Sequence, residues 1–116
     1  MYIAIDVGGT KISAALIDDD DIVEKRKIAS VIHTDLPNLH MHLFKLCDDW
    51  VEKANHLAVA CTGLVGDNTV NFLSAKQELP LKSQLETAFN LPVSILNDAA
   101  AAAWAEYSIL NDFGKL

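Results

Sequence analysis

The sequence predicts an α/β domain, a mixed five-stranded sheet whose first three strands are antiparallel, with helices on both faces. Three observations predict it. Two short apolar runs, Tyr2–Ile5 and Ile12–Ile17, flank Gly8-Gly9, and a third segment, Ile22–Ser30, alternates apolar with charged residues. Such spacing reads as successive hairpins. From Thr34 the apolar period lengthens to three and four residues, the stripe of an amphipathic helix. Strand-like and helix-like stretches then take turns to the end of the chain, as when strands are joined by helical crossovers.

Each element has a local reason. Glycines at 8 and 9 suit a tight turn with positive φ, which glycine adopts without steric cost. The run Asp18–Asp21 reads as the solvated turn of the next hairpin. Leu36, Leu39, Leu43, Leu46 or Cys47, Trp50, Val51 and Ala54 then mark one helix, capped by Thr34 or Asp35 with Pro37 in its first turn. Leu57–Cys61 is a buried strand ended by Gly63, followed by a turn at Gly66-Asp67-Asn68 and a short strand around Val70. A second helix follows Pro80, with Leu81, Leu85, Ala88 and Phe89 on one face, and stops at Asn90 and Pro92. Val93–Leu96 is the last strand. Asn97–Leu110 is a helix carrying five consecutive alanines, the residue of highest helix propensity.

Bulk properties narrow the function. With 116 residues, 51% hydrophobic and 22% charged, the chain has the size and composition of one globular domain spanning 1–116. No apolar run approaches the roughly 20 residues of a membrane span, and Asp6 interrupts the first run where a signal peptide would continue. The expected location is the cytoplasm. A net charge of −7 argues against nucleic acid as a partner, since phosphate backbones are held by clustered Lys and Arg. Two cysteines, Cys47 and Cys61, make neither a disulfide framework nor a four-ligand zinc pattern, and read as buried thiols. His40 and His42 stand two apart on a helix and face different ways, which disfavours a shared metal.

The chemistry concentrates in "AIDVGGTK", Ala4–Lys11. Gly8 and Gly9 alone suit a plain hairpin. They also let a phosphate approach the backbone N–H groups, with the Thr10 hydroxyl as a further donor and Lys11 supplying charge. Asp6 is the discriminating residue, because a carboxylate beside phosphates repels them unless Mg²⁺ mediates, here through water. Nucleotide binding, with Mg²⁺ mediating, is the better account of Asp6, Gly8, Gly9, Thr10 and Lys11 together. Asn97-Asp98 suits a helix cap and a catalytic pair about equally. Trp104 and Tyr107, three apart, read as core or interface.

"AIDVGGTK" resembles the first phosphate-loop motif of the ROK family (repressor, open reading frame, kinase), sugar kinases of the ribonuclease H-like, actin-like ATPase superfamily. "ILNDAAAAAWAEY" is similar to that family's strand-to-helix segment, whose Asn-Asp pair faces the sugar. Within the family, "CTGLV" and "AAWAEY" most resemble bacterial N-acetylmannosamine kinases, with a glucokinase-like hexokinase lobe as the alternative.

The resemblance implies an amino-terminal lobe that takes part in phosphorylating the 6-hydroxyl of an N-acylhexosamine, with ATP and Mg²⁺ as cofactors. Asp98 would be the catalytic base, Asn97 would hold sugar hydroxyls, and backbone around Thr62 and Gly63 would line the same pocket. Members of the family are more than twice this length. Their second lobe brings the adenosine pocket and a structural zinc site, neither expected in this chain. A lone lobe is expected to lack turnover, and a noncatalytic module that self-associates into a homo-oligomer is the second expectation. The family's Asn-rich sugar-contacting stretch corresponds to a shortened "NFLSAKQELPL", so no sugar role is assigned to Asn71.

Overall fold

The computed structural model describes residues 1–19 and 21–97. Strands β1 (Tyr2–Val7), β2 (Lys11–Asp18) and β3 (Asp21–Ala29) form the expected antiparallel meander. Helix α1 (Leu39–Cys47) leads to β4 (Leu57–Cys61), and α2 (Leu81–Phe89) leads to β8 (Val93–Asn97). Both β4 and β8 join in parallel, giving one five-stranded sheet in the order β3-β2-β1-β4-β8. Crossing from β1 outward, the register runs Val7–Cys61–Asn97, so the carboxyl ends of three parallel strands finish in one row.

β1 and β2 are apolar enough to bury residues on both faces, and β3 alternates exposed with half-buried residues at the edge. Ile3, Ile5, Val7, Ile12, Ala14 and Leu16 are buried on the face that also receives Leu39, Leu43, Cys47, Leu81, Leu85 and Phe89. Phe44 meets Phe89 edge to face, ring centres 5.3 Å apart, where α1 and α2 touch. A smaller cluster, Ala4, Ala15 and Ile17, occupies the opposite face. Both described helices therefore cover one side. The remaining predicted helix, and with it the five alanines, Trp104 and Tyr107, lies outside the described residues.

Three local expectations change. The single long helix divides into a 3₁₀ turn at Leu36–Asn38, α1, and a second 3₁₀ segment at Asp48–Lys53. Pro37 does sit in the first turn, but Asp35 makes no side-chain cap bond there. Its carboxylate instead accepts from Asn38 Nδ2 at 3.1 Å and pairs with His42 Nε2 at 2.8 Å. Around Val70 the chain builds a second sheet of three short strands, β5 (Leu64–Val65), β6 (Val70–Phe72) and β7 (Gln77–Leu79), where sequence suggested one strand. Strands of two or three residues are too short to show a period. Finally, β8 runs through Asn97, one residue past the expected strand.

Other expectations meet their physical reasons directly. Asn90 closes α2 in the left-handed conformation, φ 55°, with its N–H bonded to Glu86 O at 2.9 Å. Asp18, Asp19 and Asp21 are exposed around the second hairpin turn, Asp19 with φ 54°. The edge strand β3 is pinned by Arg26, whose guanidinium chelates Asp49 at 2.6 and 2.7 Å and donates to Leu46 O at 2.8 Å. It lies 4.1 Å from the centre of the buried Trp50 ring. Among the described residues no helix is long and apolar enough to cross a membrane.

Candidate functional site

In open sheets with parallel strands, ligands gather where the carboxyl ends of those strands finish. Here β1 ends at Val7 and feeds the turn Gly8–Thr10, β4 ends at Cys61 and feeds Thr62-Gly63, and β8 ends at Asn97. Neighbouring strands lie about 4.8 Å apart, so the two outer ends of this row are about 10 Å from each other. The central end is tied to the first by Thr62 N–H, which donates to Val7 O at 3.3 Å. Sequence-predicted residues separated by up to ninety positions thus share one edge of the sheet. Asp98, the next residue after this row, lies outside the described residues.

Pleating sets which way each side chain leaves that edge. Asn97 shares its row with Cys61 and Val7, on the helix-covered side. Asp6 shares the adjacent row with Ala60 and Leu96, which alternation sends to the other side. Asp6 and Asn97 are therefore at the same end of the sheet but leave it in opposite directions.

The glycine turn departs from expectation. Among the described glycines only Gly63 has positive φ, 126°; Gly8 and Gly9 do not. At Gly8 the reason for glycine is proximity, since a Cβ would sit 3.0 Å from Lys11 O. At Gly9 a Cβ would meet nothing within 4 Å, which leaves one side of the turn open. The turn is held in shape by bonds. Gly8 N–H donates to Lys11 O at 2.9 Å, Ser30 N–H donates to Thr10 O at 3.0 Å, and Ser30 Oγ donates to Gly8 O at 2.7 Å. Gly63 carries the requirement first assigned to the turn, because its Cβ would fall 2.5 Å from Asn71 O.

These residues suit a nucleotide's phosphates. Gly9, Thr10 and Lys11 are exposed, and the Gly9 N–H has no partner among the described residues. A bare peptide edge, a hydroxyl and an ammonium group together make a small anion cradle. For Mg²⁺ the fit is narrower. Asp6 is the carboxylate beside the turn, and among the described residues no three His, Cys, Asp or Glu side chains converge. One carboxylate with phosphate oxygens and water is an ordinary Mg²⁺ environment.

Ser30 was missed in the sequence because nothing local marks it. It follows a strand by one residue, and its importance comes from Gly8, twenty-two positions away. A groove of about 990 Å³ runs along α1 and α2 past Met41, Phe44 and Thr87. None of the predicted site residues among the described ones lines it.

Comparison with known proteins establishes the family and the fold. The sequence model of the ROK family matches residues 2–114. The chain belongs to the ROK family. Among curated relatives, N-acetylmannosamine kinase of Escherichia coli is 40% identical over 114 residues, covering 93% of this chain and 39% of the relative. N-acetylmannosamine kinase of Haemophilus influenzae is 33% identical over 114 residues, covering 94% and 38%. A ROK family glucokinase from Streptomyces griseus, solved in complex with glucose and AMPPNP, superposes with a TM-score of 0.78 at 30% identity, covering 93% of this chain and 36% of that one. This ROK chain thus spans less than half the length of the relatives it matches, and its half-domain has the actin-like ATPase fold.

Proposed function

We propose that this chain is the phosphate-loop half of an ATP-dependent N-acylhexosamine kinase of the N-acetylmannosamine type. The observation that carries the proposal is the single row Val7–Cys61–Asn97, which sets the glycine turn and Asn97 at one edge of one sheet. Relatives named N-acetylmannosamine kinase at 33–40% identity support the sugar class.

Within this reading the turn Gly8–Lys11 takes the phosphates, with Lys11 offsetting their charge and Thr10 donating a hydrogen bond. ATP with Mg²⁺ supplies the transferable phosphoryl group, and Asp6 faces the metal through water. Asn97 orients sugar hydroxyls through its two-sided amide, and Thr62-Gly63 lines the adjoining wall. Asp98 accepts the proton of the attacked hydroxyl. Transfer of this kind depends mainly on positioning and electrostatics, so orientation of that carboxylate outweighs its strength.

Because the chain corresponds to 38–39% of those kinases, binding is the informative readout. Calorimetric titration with ATP·Mg²⁺ and, separately, N-acetylmannosamine should give one site for each. Asp6→Ala should weaken the first and leave the second, and Asp98→Asn the reverse. Absence of ATP·Mg²⁺ binding by the parent chain would overturn the proposal.

A further inference from the structure

We propose that Ser30 is a positioning residue for the phosphate-loop turn: by holding the Gly8 carbonyl it aims the Gly9 N–H at the ligand. The inference rests on the reading of Gly8–Lys11 as a phosphate loop. It assigns a role to a residue outside that motif.

The reasoning is geometric. In a trans peptide the carbonyl of one residue and the N–H of the next point in opposite directions within one plane. Ser30 Oγ draws the Gly8 carbonyl toward the end of β3 at 2.7 Å. The Gly9 N–H, in the same plane, must then point away from β3. That N–H has no partner among the described residues, and Gly9 has no neighbour where a Cβ would stand. A donor fixed in direction and facing open space is what an incoming phosphate oxygen requires.

The hydroxyl itself is oriented. Ile32 N–H donates to Ser30 Oγ at 3.3 Å, which occupies a lone pair and leaves the hydroxyl hydrogen for Gly8 O. The Ser30 backbone adds a second hold, through its N–H on Thr10 O at 3.0 Å. Both carbonyls that flank the tip of the turn are thereby drawn to one side. Neither glycine adopts positive φ, so this external hold does the shaping that left-handed glycines do in many tight turns.

Ser30→Ala removes the side-chain bond and keeps the backbone one, while Ser30→Thr keeps both. The experiment measures amide hydrogen exchange at Gly8, whose N–H closes the turn on Lys11 O, and at the core residue Val59, thermal midpoints, and ATP·Mg²⁺ affinity by calorimetry on the 116-residue chain. Ser30→Ala should speed exchange at Gly8 without changing Val59, and should weaken ATP·Mg²⁺ roughly 3- to 10-fold, the usual consequence of one lost hydrogen bond. Ser30→Thr should restore both. Unchanged Gly8 exchange in Ser30→Ala overturns the inference. So does an affinity loss that tracks a falling thermal midpoint and is not restored by threonine. If the parent chain binds no ATP·Mg²⁺, the phosphate-loop reading fails by itself, and Gly8 exchange alone still decides whether Ser30 fixes the turn.

Discussion

Gly63→Ala would test how the β4 end is shaped. The alanine Cβ would stand 2.5 Å from Asn71 O and 3.3 Å from Asn71 C, both backbone atoms that no rotamer change can move. The backbone at this position has φ 126°, a region that L-residues rarely enter. Holding an alanine there costs about 1–3 kcal/mol, and pushing β6 away from the end of β4 costs about another 1–3 kcal/mol. The sum, about 2–6 kcal/mol, is comparable with the total net stability of a domain this size, about 5–15 kcal/mol. With a urea dependence of about 2 kcal/mol per molar, the unfolding midpoint should fall by roughly 1–3 M, or the chain should fail to fold. The contrast is Gly9→Ala, which meets open space and should stay within about 0.5 kcal/mol. Urea unfolding followed by far-ultraviolet circular dichroism separates the two. A Gly63→Ala midpoint within roughly 0.3 M of the parent would refute the argument.

Two further outcomes follow from titrating groups. The Arg26 guanidinium holds Asp49 down from 3.8 to about 2, so between those values the folded chain binds fewer protons than the unfolded one. Stability from this pair should be complete above about pH 4 and disappear as pH falls toward about 2; Asp49→Asn should flatten that part of a urea-midpoint profile, and a parallel profile would contradict it. Burial pushes the Cys47 thiol up to about 12, so at pH 8 it should resist a thiol reagent in the native chain and react fully once unfolded. Rapid native labelling of Cys47, located by peptide mapping, would show the site to be open.

Much of this protein was legible along the chain, because hydrophobic period is a local property. The apolar runs Tyr2–Ile5 and Ile12–Ile17 and the alternation in Ile22–Ser30 gave the meander, the stripe Leu81, Leu85 and Phe89 gave α2, and Asn90 gave its stop, since asparagine tolerates the left-handed angle that ends a helix. The motif Ala4–Lys11 identified the candidate site by its residue types, before any geometry.

Tertiary structure decided what depends on partners distant in sequence. No local signal announces that Asn68 would reach across to cap α2, its Oδ1 accepting from Ser83 N–H at 3.0 Å. Nor does one announce that the glycine required by strain is Gly63, whose constraint comes from Asn71, or that Ser30 would shape a turn twenty-two residues earlier. Even the shared edge of Val7, Cys61 and Asn97 exists only once β1, β4 and β8 pair. Periodicity tells a segment which face to bury; hydrogen bonds between segments are chosen only when packing brings their ends within about 3 Å.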